Sequence, residues 1–235
     1  MLLTKEGLRP HIFGLDLGQS QDYTALVLLE RVGYTPAYYE MRHIVRYPLR
    51  TSYQTIADAV AKIVKMDVVQ QQSVAPNVSR QRPVALVVDK TGVGAPVVDM
   101  LKRLELAPIS VTITGGHEVT RVTGREYRVP KIHLVSAVQL LLNDQRMKIA
   151  PALPSARDLG DELRKFQLHK KGNTVQYEAP WREGEHDDLV LATALAAWYG
   201  ETQVKTLDAK GKAKKLDWSN VAGSAQPTKV TTVRR

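Results

Sequence analysis

The chain has 235 residues, 43% of them hydrophobic, which is enough to bury one core and to carry a less structured appendage. It contains no cysteine, so disulfides and thiolate-bound zinc are excluded, and any metal must be held by oxygen or imidazole ligands. No stretch approaches the ~20 apolar residues of a membrane span, and the N-terminus lacks the apolar core of a signal peptide. We therefore expect a soluble, intracellular protein.

The positive charge of the chain is concentrated near its C-terminus. The formal net charge is +9, which favours a polyanionic partner. Residues 201–235 contain eight Lys and Arg against three Asp and Glu, a net charge of +5. We predict one domain over residues 1–200 and a basic, flexible tail over 201–235, which either contacts nucleic acid or only aids solubility.

The N-terminal half of the chain predicts an antiparallel sheet, a helix and a buried strand. Residues 11–30 read as strand, turn and strand, and residues 37–47 give a third strand beside them. A helix is predicted over residues 51–69, with a hydroxyl side chain capping its start. The apolar run PVALVVD at residues 83–89 is typical of a buried central strand.

A βαβ unit is predicted next. A helix over residues 95–104 leads to a strand over 109–113, so the sheet turns parallel. The polar, Arg-rich residues 119–128 are interpreted as a loop. Helices are predicted over residues 133–144 and 155–166, with RMKIAP between them as a brief edge strand.

The last elements complete the predicted fold. Residues 167–178 are predicted to form a final hairpin arm. Residues 187–199, DDLVLATALAAWY, predict a helix that is apolar on most sides and is ended by Gly200. The elements together predict an α/β fold with a mixed central sheet, antiparallel in its first three strands and then parallel, flanked by helices.

Acidic residues stand at the ends of three of these elements. Asp16 ends the first strand, Asp89 ends the buried strand, and the pair Asp187 and Asp188 opens the last helix. Because sites in open α/β sheets gather beyond the carboxyl ends of the strands, we expect these carboxylates to converge. Converging carboxylates repel each other unless divalent cations such as Mg²⁺ or Mn²⁺ offset the repulsion. Two such ions about 3.5–4 Å apart can promote phosphodiester hydrolysis.

Each acid also has an ordinary structural interpretation. Asp16 could begin a turn, whereas Asp187 could cap the last helix and Asp188 could complement its dipole. Asp89 closes an apolar strand next to the core and therefore needs a partner. Of the acidic pair, Asp188 is the better metal-ligand candidate, and the neighbouring His186 is interpreted as exposed.

Three segments carry these acids: GLDLGQSQDYTALVLL, VALVVDKTGVG and EHDDLVLATALAAW. Their order, spacing and context resemble the nuclease domain of the large terminase subunit of tailed bacteriophages, a member of the RNase H-like (RuvC-like) superfamily, over about residues 12–200. The resemblance implies an RNase H-like fold with one or two bound Mg²⁺ or Mn²⁺ ions. It implies metal ligands at Asp16, Asp89, Asp187 and Asp188, with catalytic roles for Asp16, Asp89 and Asp188.

The resemblance also implies a function, that of a divalent-metal-dependent endodeoxyribonuclease that cuts concatemeric viral DNA during genome packaging. Such an enzyme would act on double-stranded DNA in the cytoplasm of a bacterial cell that is infected by a phage or carries a prophage. Its expected partners are a packaging ATPase, a small terminase subunit and a portal. Large terminases usually carry the ATPase themselves, but no GxxxxGK[ST] phosphate loop occurs in this sequence. We expect an excised nuclease domain or an ATPase on another chain.

Basic side chains predict contact with DNA through its phosphates, which gives affinity but little base discrimination. The candidates are Arg121, Arg125, Arg128, Lys170, Lys171, Lys210, Lys212, Lys214 and Lys215. Each of them could equally be a solvated surface charge. Tyr177 and Trp181 could stack on nucleic acid, although a partly buried aromatic is the commoner finding.

Three other interpretations remain open at this point. A RuvC-like resolvase or a transposase-type nuclease would use the same metal chemistry on another DNA shape, and a symmetric dimer would favour the resolvase. An actin-like or sugar-kinase-like nucleotide-binding protein also begins with a GLDLG segment and a hairpin, but this chain is short for two lobes. A DNA-binding module with purely structural acids is the third.

Overall fold

The computed structural model describes residues 2–4, 9–18, 22–33, 36–74, 84–165 and 186–206. Within these residues the strands are β1 Leu2–Thr4, β2 His11–Asp16, β3 Thr24–Val32, β4 Tyr38–Tyr47, β5 Val84–Asp89, β6 Ile109–Thr114, β7 Thr120–Thr123, β8 Glu126–Pro130, β9 Met147–Lys148 and β10 Val204–Thr206. The helices are α1 Tyr53–Val74, α2 Gly94–Arg103, α3 Lys131–Asn143, α4 Ala156–Lys165 and α5 Asp188–Thr202. None of these helices is long and apolar enough to cross a membrane.

The strands form one large mixed sheet and a small separate one. The large sheet has the order β7-β8-β6-β5-β2-β3-β4-β9, and β1 pairs with β10 in parallel. Strand β2 is antiparallel to β3, and β3 is antiparallel to β4. From β2 outward in the other direction, β5, β6 and β8 are all parallel. The predicted mixed sheet, antiparallel first and then parallel, is confirmed.

Helices cover both faces of the sheet, so the core has two halves. On one face α1 and α2 pack against alternate residues of the central strands, such as Phe13 and Leu15. On the other face α3, α4 and α5 pack against the intervening residues, such as Ile12 and Val87. This division follows from the period of two along each strand, which sends successive side chains to opposite faces.

Helix α5 is buried on almost every side, because residues 189, 190 and 192–200 are all buried and only Leu191 among them is partly exposed. Its close approach to β2 depends on Gly14. An added Cβ at Gly14 would lie 1.9 Å from the Ala192 carbonyl oxygen and 3.1 Å from the Ala196 nitrogen. The glycine therefore allows a helix backbone to lie directly on the central strand, two residues before Asp16.

Gly14→Ala is expected to lower the free energy of unfolding by about 3 kcal/mol, because overpacking forces the backbones of α5 and β2 apart. Gly116→Ala is the matched control, since a Cβ there meets nothing within 4 Å, and it should change stability by less than about 0.5 kcal/mol. Urea denaturation of both variants checks the difference. Equal stability of the two variants would contradict this packing argument.

Several predicted elements are confirmed and others need correction. The helix that begins at Tyr53 is capped as expected, because Ser52 Oγ accepts the Thr55 N–H at 3.1 Å. The brief edge strand is β9, which pairs with β4 at one end of the sheet. The interpretation of residues 119–128 as a loop is wrong, since β7 and β8 form an antiparallel hairpin there.

Gly200 does not end the last helix, because α5 continues to Thr202. A Cβ at Gly200 would lie 2.6 Å from Tyr39 Cε1, so this glycine provides close packing instead. The first six residues of the predicted tail, 201–206, thus belong to α5, to β10 and to the turn between them. The rest of the tail, 207–235, and the predicted hairpin arm, 167–178, lie outside the described residues.

Candidate active site

Strand register places Asp16 and Asp89 side by side. Strands β2 and β5 are parallel neighbours with Leu15 paired to Val88, so the next positions along each strand are the two acids. Both acids follow the alternation of residues that face α5, and both are buried, with 6% and 8% of their surface exposed. The sheet therefore presents two adjacent carboxylates beneath the helix.

Helix α5 brings the acidic pair to the same edge of the sheet. Asp187 precedes the helix and Asp188 is its first residue, which is 4% exposed. The pKa of Asp16 is raised well above its usual value, first by burial and then by repulsion from Asp89, Asp188 and Asp187, while Lys131 opposes the rise. The four predicted carboxylates thus lie close enough to interact electrostatically.

The Asp188 carboxylate is buried and, within the described part of the chain, has one oxygen without a hydrogen bond. Burial raises its pKa to about 7, repulsion from Asp187 and Asp22 adds to the rise, and Arg46 opposes it. Its Oδ2 is buried and has no hydrogen bond partner among the described residues, and the Arg46 Nε lies 3.8 Å away. A buried carboxylate oxygen without a hydrogen bond is costly, so it is a candidate ligand atom.

Asp187 does not cap the helix with its side chain, although it occupies the N-cap position. Its Oδ2 accepts a hydrogen bond from Lys131 Nζ at 3.2 Å. The amides of Leu189 and Val190 donate instead to Glu162 Oε2 of α4, each at 3.1 Å. The alternative interpretation of Asp187 as a side-chain cap is therefore wrong, and its carboxylate faces the other acids and a lysine.

Asp89 has one local hydrogen bond. Its Oδ1 accepts the backbone N–H of Thr91 at 2.8 Å, which forms a tight turn after β5. Burial raises the pKa of Asp89, while the Thr91 hydrogen bonds and the charge of Lys131 lower it. The turn fixes this carboxylate at the strand end, where it lies beside Asp16.

The fit of this cluster to a divalent metal can be judged from its donor atoms. Within the described part of the chain, no group of three or more His, Cys, Asp or Glu side chains is arranged so that it could already hold an ion. The donors are nevertheless carboxylate oxygens, which Mg²⁺ and Mn²⁺ prefer. The lack of a hydrogen bond from the described residues at Asp188 Oδ2 and the raised pKa of Asp16 are both features that a cation would relieve. The residues therefore fit a divalent cation by their chemistry, and their side chains would have to move to close around it.

Four contributors to the site were not predicted from the sequence: Lys131, Arg46, Glu162 and Asp22. Lys131 is the first residue of α3, where the helix dipole disfavours a positive charge. A lysine at the start of a predicted helix is unusual, and this position could have marked it as a functional residue. Arg46 and Glu162 carry no such signal, because strand pairing and helix packing bring them to the site. Asp22, six residues after Asp16, also acts on Asp188 through its charge.

The predicted DNA-contact arginines lie on or beside the β7–β8 hairpin, and all three are exposed. Arg121 donates to the carbonyls of Thr123 and Gly124, and Arg125 donates to the Ala107 carbonyl at 2.8 Å. Arg128 lies on β8.

The predicted lysines, Lys170, Lys171, Lys210, Lys212, Lys214 and Lys215, lie outside the described residues, as do Tyr177 and Trp181. His186 is exposed, as interpreted, and its ring lies edge-on to Tyr23 with 4.7 Å between the ring centroids.

Comparison with known proteins gives matches among solved structures. The crystal structure of the large terminase nuclease from thermophilic phage G20c is 19% identical, with 82% of each chain covered and a TM-score of 0.50. The same nuclease with bound magnesium is 20% identical, with 80% of each chain covered and a TM-score of 0.51. The nuclease domain of the large terminase from bacteriophage SPP1 with bound Mn is 12% identical over 83% of this chain and 93% of that one, at a TM-score of 0.49. No protein-family model and no curated protein sequence matches.

The fold is therefore that of an RNase H-like α/β domain. More particularly, the chain has the fold of a large terminase nuclease domain, which confirms at the level of the fold the resemblance that the sequence segments carry.

Proposed function

We propose that this chain is a divalent-metal-dependent endodeoxyribonuclease. The observation that carries the proposal is the convergence of four carboxylates at the carboxyl edge of the central strands of an RNase H-like sheet. Asp16 and Asp89 come from adjacent strands, and Asp187 and Asp188 come from the start of α5. Asp16, Asp89 and Asp188 are the proposed catalytic ligands, and Asp187 is a further ligand.

The chemistry of the site follows from its donor atoms. Mg²⁺ or Mn²⁺ held there, as one or two ions, would supply a more acidic water and a counter-charge for the leaving oxygen of a phosphodiester. The buried carboxylates would fix the position of such ions, because they stand on the rigid strands β2 and β5 and on a fully packed helix. Lys131 beside Asp187 would offset negative charge that remains when DNA phosphate approaches.

Contact with double-stranded DNA is proposed to run through phosphates. The exposed Arg128, next to Arg121 and Arg125 on the hairpin, lies on the strand that leads directly into Lys131 and α3. A formal net charge of +9 supports a polyanionic substrate. Binding of this kind gives little base selectivity, so the choice of cleavage site would depend on other proteins.

The biological role that we propose is cleavage of concatemeric viral DNA during genome packaging. The fold likeness to the phage G20c large terminase nuclease supports it. The enzyme would then act in the cytoplasm of a bacterial cell that is infected by a phage or carries a prophage. A packaging ATPase, a small terminase subunit and a portal would be its partners.

Cleavage of supercoiled plasmid tests the proposed activity. The wild-type chain is incubated with plasmid in EDTA, in Mg²⁺ and in Mn²⁺, and nicked and linear products are separated on a gel. We expect both products with either metal and none in EDTA. Cleavage that continues in EDTA would overturn the metal-dependent proposal. No cleavage under any of the three conditions would argue for a DNA-binding module or for a nuclease that depends on a partner.

A further inference from the structure

The start of helix α5 is capped from a distance. The first amides of a helix need acceptors, and a side chain at the N-cap position normally supplies one. Here Asp187 makes no such hydrogen bond, and Glu162 of α4 accepts the amides of Leu189 and Val190 through Oε2. Glu162 is only 7% exposed. A residue remote in the sequence therefore performs the capping that the local acid does not.

The second oxygen of Glu162 is also used. Its Oε1 accepts a hydrogen bond from the Arg46 guanidinium and forms an ion pair with it. Arg46 reaches this point through strand register, since Asp16 pairs with Ala25 and Ala25 pairs with Arg46 across three strands. Only the methyl group of Ala25 lies between Asp16 and Arg46 in that row.

Arg46 is itself held on several sides. Its guanidinium lies 5.0 Å from the centroid of the Tyr23 ring, and its Nε lies 3.8 Å from Asp188 Oδ2. The Arg46 side chain is 18% exposed. The residues Glu162, Arg46 and Tyr23 thus form a bracket around the first turn of α5, on the side that carries Asp188.

We propose that Glu162, anchored by Arg46, is a positioning residue that fixes the first turn of α5 and so leaves the Asp187 and Asp188 carboxylates available to hold divalent cations. The proposal rests on the metal-dependent function proposed above. If the acids had to cap the helix themselves, their oxygens would be turned toward backbone amides and away from Asp16. Removal of a residue that orients the metal ligands commonly weakens metal binding 10–100-fold.

Neither a shorter nor a neutral side chain can replace Glu162. Glu162→Asp keeps the charge but shortens the side chain by one methylene, so it cannot reach both Arg46 and the two amides. Glu162→Gln has a single acceptor oxygen, and its amide group would face either the guanidinium or the helix N–H groups. Asp161→Asn is the matched control, because Asp161 is the preceding residue of α4, is exposed and pairs with Arg164.

The experiment is a Mn²⁺ titration of the folded proteins, followed by electron paramagnetic resonance of free Mn²⁺, with plasmid cleavage measured over the same Mn²⁺ range. Both Glu162 variants are expected to bind Mn²⁺ about 10-fold more weakly, and high Mn²⁺ should restore their cleavage. Asp161→Asn should match the wild type. If both Glu162 variants bind Mn²⁺ as tightly as the wild type, or if Asp161→Asn loses as much Mn²⁺ affinity as they do, the positioning role of Glu162 is wrong. The proposed metal-dependent function would still stand. A wild-type protein that binds no Mn²⁺ would overturn the proposed function as well.

Discussion

Asp16→Asn, Asp89→Asn and Asp188→Asn are each expected to reduce Mg²⁺-dependent plasmid cleavage by more than about 100-fold, since even partners of metal ligands commonly contribute 10–100-fold. Each substitution replaces one anionic carboxylate of the cluster with a neutral amide of nearly the same size. Asp187→Asn should have a smaller effect, because its carboxylate is also engaged by Lys131. Initial rates of nicking at saturating Mg²⁺ measure the losses.

Asp99→Asn is a suitable control for these substitutions, because Asp99 lies exposed on α2 and pairs with Lys102. It should cleave at the wild-type rate. Circular dichroism at the assay temperature shows whether each variant is folded. Folded variants at all three positions that cleave as fast as the wild type would place the active site elsewhere.

Asp188→Asn is expected to stabilise the protein in EDTA at pH 8 by about 2 kcal/mol, although it strongly reduces cleavage in Mg²⁺. The pKa of Asp188 is raised to about 7 in the folded protein, whereas an unfolded Asp titrates near 4. The folded state therefore binds this proton more tightly, and the stability that the neutral form confers is present below pH ~4 and is lost as the pH rises to ~7. The substitution removes the charge that causes the loss.

Thermal unfolding of the wild type and Asp188→Asn at pH 4 and pH 8 measures this effect. The two proteins should differ little at pH 4 and most at pH 8. Mn²⁺ at pH 8 should raise the Tm of the wild type more than that of the variant, because a ligand stabilises the state that binds it. A variant that is less stable than the wild type at pH 8 in EDTA would contradict the account of Asp188.

The sheet and the acids could be predicted because their signals are local. The apolar runs that end in Asp16 and Asp89 define central strands, and the apolar segment after Asp188 defines a packed helix. Acids at the ends of such elements meet at one edge of a parallel sheet. Strand β7 could not be predicted in this way, since all its residues are exposed and no apolar alternation marks it. Strand β8 does carry the alternation, with Tyr127 and Val129 buried on either side of the exposed Arg128, but the signal is only three residues long.

The bracket around α5 depends on contacts that are distant in the sequence. Arg46 and Glu162 are separated by 116 residues. The contact of Lys131 with Asp187, beside the bracket, likewise joins residues that are 56 positions apart. Arg46 reaches the site only because β4 pairs with β3 in one particular register, which the sequence of β4 does not reveal. The prediction that Gly200 ends α5 was wrong for a related reason. The glycine is required by the Tyr39 ring, which lies on another element.

Crystals grown in Mn²⁺ and measured for anomalous scattering test the central claim most directly. We expect one or two anomalous peaks in contact with the carboxylates of Asp16, Asp89 and Asp188, with Asp187 adjacent. Asp188→Asn crystals grown in the same way should show weaker peaks or none. Manganese peaks that lie away from these acids, in a protein that cleaves DNA with Mn²⁺, would contradict the account.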